Sequence, residues 1–196
     1  MKRKALTKRQ NQAIETRNQI YDAAIELMDR KGYENITIAE IAKKANVSVG
    51  SFYHYFKSKN DILVEIFKRG DDYFAREVAA KLGTESSPKD IVTYFDYYAR
   101  FCLDTGLATD RQIYRPTVKP FIKKGRPMLV ILNSIITRGQ QRGEISKEMS
   151  AEEITTMLFV FARGLLFDWC LRDGKYDLRA RMRQYIKRIV STIQAQ

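Results

Sequence analysis

Apolar side chains recur at spacings of three and four along most of the chain, and apolar–polar alternation is nearly absent. That period brings apolar side chains to one face of a helix, so the pattern predicts an all-α protein. Residues able to cap exposed backbone N–H groups mark where helices start. Thr37-Ile38-Ala39-Glu40 and Ser150-Ala151-Glu152-Glu153 fit capping boxes, and Ser58 with Asp61 resembles one through the shorter acid. Ser87-Pro88-Lys89-Asp90 puts a cap at Ser87 before a proline at the first helical position, Asp177 can cap the last helix and Gly32 can end the first. The resulting helices cover about residues 10–31, 38–44, 49–56, a long 59–81, 88–104, 108–114, 119–142, 151–172 and 177–194. Pro120 and Pro127 fall near the start of the seventh or at a kink in it, and Gly83 to Ser87 is a linker candidate.

The short second and third helices carry the most specific chemistry. Two helices that cross steeply need a small residue at their closest approach, and Ala42 supplies one beside Ile41 and Ala45. A sharp turn needs a residue that tolerates a left-handed backbone, as Asn46 does. Val47 plugs the turn, Ser48 caps the third helix, and Phe52 and Phe56, four apart, face inward together. At about 100° per residue this turns Gly50, Ser51 and His54 outward, with Tyr53 and Tyr55 on the flanks. The outer face is small, polar and aromatic without a carboxylate, so it can enter a DNA major groove, and Gly50 allows a close approach. The bland alternative is a helical hairpin with a solvated face.

Residues 17–67 closely resemble the N-terminal DNA-binding domain of the TetR family of transcriptional regulators. The run Val47-Ser48-Val49-Gly50-Ser51-Phe52-Tyr53-His54-Tyr55-Phe56-Lys57-Ser58-Lys59 carries the resemblance, followed by Asp61, Ile62 and Leu63. Ile20, Ala23, Ala24, Leu27, Gly32, Tyr33, Thr37, Ile41 and Ala42 occupy expected positions upstream. The resemblance implies an all-helical dimer on a partly palindromic operator, with a second domain that varies among members. Together with the groove face it makes Thr37, Ser48, Val49, Gly50, Ser51, Tyr53, His54, Tyr55 and Lys59 the DNA-binding set. Of these, it puts Val49, Ser51 and Tyr53 at base or sugar-phosphate edges, and Tyr55, Lys59 and Thr37 at phosphates. Several members carry His where Tyr55 stands, so the choice between His54 and Tyr55 stays open. His54, the only histidine, has no nucleophile or carboxylate placed beside it for catalysis.

Charge agrees with a polyanionic partner. The 196 residues hold 35 Lys and Arg against 23 Asp and Glu, a net +12, and residues 1–60 hold 12 basic and 6 acidic side chains. The arm Lys2, Arg3, Lys4, Lys8 and Arg9 either adds phosphate and minor-groove contacts or is a solvated tail. From Arg111 to Gly143 eight basic residues occur without an acid; this stretch faces DNA, attracts an anion or is solvated. No apolar stretch and cleavage site follow the basic N-terminus, and no run of about 18 uncharged apolar residues suggests a membrane span. Cys102 and Cys170 form neither a disulfide framework nor a metal pattern, consistent with the cytoplasm.

Two apolar stripes mark the C-terminal helices: Ile154, Leu158, Phe161, Leu165 and Trp169, then Leu178, Met182, Tyr185, Ile189 and Ile193. They build either the chain's own core or a four-helix dimer interface, and the resemblance favours the interface through Ile154, Leu158, Phe161, Leu165, Trp169, Met182, Tyr185 and Ile189. The middle of the chain is rich in aromatics, of which Tyr94, Tyr98, Phe101, Phe121 and Phe159 are candidates to line a ligand pocket.

The sequence therefore points to a helix-turn-helix domain at 1–57 and a helical ligand-binding and dimerisation domain at 58–196. The expected protein is a homodimeric regulator of double-stranded operator DNA, a repressor released by a small apolar or aromatic effector. Arg111, Arg115, Lys119 and Lys123 also admit an anionic effector. An activator or a ligand-independent DNA-binding protein is the nearer rival. An enzyme is the farther one: no catalytic constellation, metal set, cofactor motif or phosphate loop supports it.

Overall fold

Caps and glycines divide the chain into helices almost where its pattern predicts. The computed structural model describes residues 7–83, 85–113, 123 and 125–195. Among these the α-helices are α1 (Lys8–Lys31), α2 (Ile38–Lys44), α3 (Val49–Tyr55), α4 (Lys59–Tyr73), α5 (Ser87–Thr105), α6 (Leu107–Ile113), α7 (Pro127–Gln141), α8 (Ala151–Leu171) and α9 (Leu178–Thr192). The one strand-like pairing among the described residues is an isolated antiparallel bridge, Ile145 to Gln194.

The Thr37–Glu40 and Ser150–Glu153 capping boxes form, and Asp177 caps α9. A further box is not apparent from the sequence pattern. Thr7 accepts from the Gln10 N–H while the Gln10 side chain accepts from the Thr7 N–H, which starts α1 at Lys8; no apolar period follows at once to draw attention to it. The first helix ends at Gly32, whose φ of 77° suits glycine.

Three boundaries depart from expectation. The seventh helix, expected from about residue 119, starts as α7 at Pro127, and the described residues just before it, Lys123, Gly125 and Arg126, are not helical. Ser87 does not cap α5: it occupies the first helical position, and its N–H donates to Glu144 at 2.7 Å. A distant carboxylate thus does the work assigned to a local hydroxyl. The long fourth helix is α-helical only to Tyr73, then widens into a π turn over Phe74–Val78 and tightens into a 3-10 turn over Ala79–Lys81. The altered turns bring Phe74 and Val78 fully into the core.

The chain forms two compact units, Met1–Glu65 and Ile66–Gln196, divided within α4 rather than at residue 57. The first turns of α4 belong to the first unit because Lys59, Asn60 and Glu65 are bonded to Tyr33, Ile36 and Arg17. In that unit α1 packs on α2 and α2 on α3, burying Ile20, Ala24, Ile41, Ala42, Phe52 and Phe56. In the second unit α5 packs against α9 and α7, and α8 against α7 and α9, around Phe95, Leu132, Leu158 and Met182. By length and composition α8 could cross a membrane, but half of its most apolar stretch is buried in this core.

Candidate DNA-binding face and ligand cavity

The turn between α2 and α3 is built as its residues require. Asn46 takes φ 55°, the Val47 N–H returns to the Ala42 carbonyl at 2.9 Å, and Ser48 Oγ accepts from the Ser51 N–H at 3.0 Å. Phe52 and Phe56 are 0% and 1% exposed, with ring centroids 5.9 Å apart. The Arg17 guanidinium lies 4.6 Å over Phe56 and donates to Glu65 at 2.7 Å and to the Tyr55 carbonyl at 3.4 Å. These contacts hold α3 by its inner side.

Its outer side is open. Tyr53 is 53% and Val49 43% exposed, Gly50 and His54 are exposed, and Ser51 and Tyr55 are half-buried. The His54 ring meets Tyr55 edge-on at 4.9 Å, so the two candidates for one contact are neighbours. Lys43 and Lys57 are exposed close by in the sequence, and α3 itself carries no acid. Two other candidates are already engaged. Both Thr37 donors, N–H and hydroxyl, go to Glu40, at 2.8 and 3.0 Å. The Lys31 ammonium and these Thr37 bonds hold the Glu40 carboxyl down to about 2. Lys59 Nζ donates to the Tyr33 and Ile36 carbonyls at 3.0 and 2.8 Å and lies 4.7 Å from the Tyr33 ring centre. Lys2, Arg3 and Lys4 lie outside the described residues.

In the second unit a cavity of about 50 Å³ lies between α4, α5, α6 and α8 and the start of α7. Of the pocket candidates, Tyr98, Phe101 and Phe159 lie in its wall. Tyr94 does not: its ring is fully buried and its hydroxyl donates to the Met128 carbonyl at 2.9 Å, so it is part of the packing. Phe121 lies outside the described residues. Sequence reasoning missed Gly70, Asp110, Arg126 and Arg163 in the wall. They come from four separate segments, and nothing in local periodicity links them. Gly70 leaves room here, since a Cβ there would stand 3.2 Å from Phe101 and its ring would have to give by a few tenths of an ångström. Arg126 donates to Asp71 at 2.9 Å, and Asp71 also accepts the Met128 N–H, tying the start of α7 to α4. A wider groove of about 600 Å³ between α7 and α8 shares Leu129, Phe159 and Arg163 with the cavity wall.

The expected dimer stripe needs correction. Ile154, Leu158, Leu165, Trp169 and Met182 are all within 7% of complete burial in their own chain, so they face the core. Phe161 and Ile189 are half-buried, and Tyr185 is 37% exposed with its ring 6.1 Å from Phe161. An exposed apolar face of α8 runs through Val160, Gly164, Phe167 and Leu171, with Val160 59%, Phe167 50% and Leu171 66% exposed, while Met157 in line with them is partly buried against the core. The basic stretch from Arg111 is also partly spoken for. Arg111 pairs with Asp173 and the Cys170 carbonyl, Arg126 with Asp71, and Arg138 with the buried Asp90 at 3.2 Å. Arg115 and Lys119 lie outside the described residues, and Lys123 is exposed. Burial pushes the free Cys170 thiol up to about 12 and Cys102 well above its ordinary value, which makes both poor nucleophiles.

Residues 20–66 match the family model described as bacterial regulatory proteins, tetR family, and residues 117–192 match that for the C-terminal region of YsiA-like protein. The chain is 29% identical over 185 residues to the fatty acid metabolism regulator protein of Bacillus subtilis (strain 168), covering 89% of this chain and 94% of that one. It is 25% identical over 198 residues to the HTH-type transcriptional repressor BepR of Brucella suis biovar 1 (strain 1330), covering 94% of each. Among solved structures, transcriptional regulator FadR from Bacillus subtilis in complex with stearoyl-CoA superposes with a TM-score of 0.76 at 24% identity, over 88% of this chain and 96% of that one. With a helix-turn-helix built as above, two family models spanning more than half of the sequence, and regulators matching it nearly end to end, the chain belongs to the tetR family of bacterial regulatory proteins and is a transcription regulator, not an enzyme.

Proposed function

We propose that the protein is a homodimeric repressor that reads a partly palindromic operator with α3 and leaves it when a long-chain acyl thioester binds in the second unit. The carboxylate-free outer face of α3, held rigidly by its inner side, is the observation that carries the DNA part. Val49, Gly50, Ser51 and Tyr53 meet the groove, with His54 and Tyr55 at its edge. Residues 1–65 form the reading unit, and the remainder dimerises and senses the effector, in the cytoplasm where the DNA lies.

A single half-site gives modest affinity, so two copies are needed. The occupant of the apolar α8 face is a second copy of the chain, whose α8 and α9 complete a four-helix bundle. Gly164, where an added Cβ would meet nothing within 4 Å, lets two such helices approach closely.

An acyl thioester fits the cavity's apolar wall, and the Bacillus subtilis relatives support it: one is named a fatty acid metabolism regulator, and the solved FadR holds stearoyl-CoA. The chain would enter the cavity, and the polar remainder would follow the α7–α8 groove past Arg163. At about 50 Å³ the cavity is far smaller than ligand sites of roughly 300–1,000 Å³. Binding must therefore part the helices around it. A ligand that binds only the opened form shifts the balance away from the closed one, which is the differential affinity that release from DNA requires.

The test is to select operators from a random duplex pool, then titrate the operator complex with octadecanoyl-CoA. A palindromic half-site pair and a 5- to 150-fold loss of operator affinity are expected, from a coupling of about 1–3 kcal/mol. No selected sequence would overturn the DNA reading, and unchanged operator affinity at saturating thioester the effector reading.

A further inference from the structure

Asp110 stands out in the cavity wall. It comes from α6, is 3% exposed, and lines the cavity among Tyr98, Phe101, Cys102, Met128 and Phe159. Its backbone N–H goes to the Gly106 carbonyl at 3.0 Å, but its Oδ2 has no hydrogen-bond partner among the described residues. Two neighbours on the same short helix, Thr109 Oγ1 and Gln112 Oε1, are buried and unpartnered there as well. The basic wall residues are directed elsewhere: Arg126 donates to Asp71 at 2.9 Å, and Arg163 Nε to the Phe159 carbonyl at 2.9 Å.

A carboxyl kept for structure is normally given a partner, because leaving a buried polar group unpaired costs free energy with no return. This one is buried, unpaired and at the edge of empty space. Burial pushes it well above the ordinary carboxylate range, towards the neutral acid, which has one O–H to donate and oxygens left to accept. In that form it does not repel an uncharged or anionic ligand.

We propose that Asp110 is the polar recognition residue of the cavity, and that the effector carries a hydroxyl, carbonyl or amide group placed along its apolar body to hydrogen-bond it. The inference rests on the cavity being the effector site, as proposed above. A purely hydrocarbon segment beside Asp110 would leave the carboxyl dry and unpaired, whereas a matched polar group removes that cost. Sites built this way discriminate strongly, since the analogue lacking the group leaves a buried partner unsatisfied. The group can be a substituent on the acyl chain, or the thioester and amides of the arm that carries it.

Calorimetric binding separates these sources. The probes are octadecanoyl-CoA and a series of monohydroxyoctadecanoyl-CoA isomers, titrated into the full-length wild type, Asp110→Asn and Asp110→Leu. If the source is a chain substituent, one isomer binds the wild type about tenfold more tightly than octadecanoyl-CoA, and Asp110→Leu abolishes that preference. If it is the arm, octadecanoyl-CoA itself loses about tenfold in Asp110→Leu and no isomer gains. Asp110→Asn, which still donates and accepts, keeps most of either effect. Should Asp110→Leu fold poorly, Asp110→Ala carries the same comparison. Equal affinity of all probes for wild type and variants overturns the role of Asp110 alone. Failure of every probe to bind the wild type overturns the acyl-thioester reading, and this inference with it.

Discussion

Lys59 places two demands on one ammonium. Family resemblance assigns it a phosphate, while in the fold it donates to the Tyr33 and Ile36 carbonyls. Lys59→Ala should therefore lower thermal stability as well as DNA affinity, and reduce the salt dependence of binding by about one phosphate contact. Tyr53 makes the opposite case: half exposed, it touches Phe52 edge-on at 5.7 Å and supports little else. Tyr53→Ala should weaken specific binding by about 1–3 kcal/mol and leave the melting temperature in place. Anisotropy titrations at several salt concentrations, beside thermal melts, check the pair; wild-type binding by both variants would move the docking face elsewhere. Glu40 gives a pH dependence. Its carboxyl is held near 2 when folded, below its ordinary 4.5, so its contribution is complete above about 4.5 and is lost as pH falls towards 2. Glu40→Gln keeps a capping partner for Thr37 without that charge, and its melting temperature should fall less steeply than the wild type's over the same range.

At the scale of elements, α8 shows how far a period can be read. The helix is apolar on two faces, and spacing alone cannot say which one turns inward. The stripe through Leu158 and Leu165 faces the core, and the one through Val160 and Phe167 is exposed. Phe167→Glu should leave the fold intact and yield monomers by ultracentrifugation, with operator binding lost alongside. Leu165→Glu should yield unfolded protein, because an unpaired charge would be buried. A folded dimer of Phe167→Glu would put the interface on another face. The start of α5 carries a related lesson. Its pattern proposed a local cap at Ser87, and the partner is Glu144, 57 residues away.

At the scale of the whole molecule, the proposed sensing depends on a cavity of only about 50 Å³. Gly70 leaves the space that Phe101 occupies, and adding a Cβ there would crowd the ring from 3.2 Å. Gly70→Ala should therefore weaken octadecanoyl-CoA binding several-fold while operator affinity stays as in the wild type, giving a repressor that resists release. The melting temperature should shift little, since alanine's helix preference over glycine, up to about 1 kcal/mol, offsets the crowding of Phe101. Parallel calorimetry and operator titration decide it; unchanged thioester affinity would mean that α4 does not limit the cavity.

The sequence by itself determined the helices, most of their caps, the Asn46 turn, the inward phenylalanines of α3 and the basic character of the DNA-binding unit. These depend on side chains within a few residues of one another, where a period or a cap acts through the local backbone. Only the tertiary structure decided which stripe of α8 is buried, that Arg111, Arg126 and Arg138 answer acids on other segments, and that Tyr94 is packing while Tyr98 lines a cavity. It alone left Asp110 without a partner among the described residues. Each of these depends on which distant segments meet, and a pairing between residues far apart in the chain leaves no trace in the spacing around either of them.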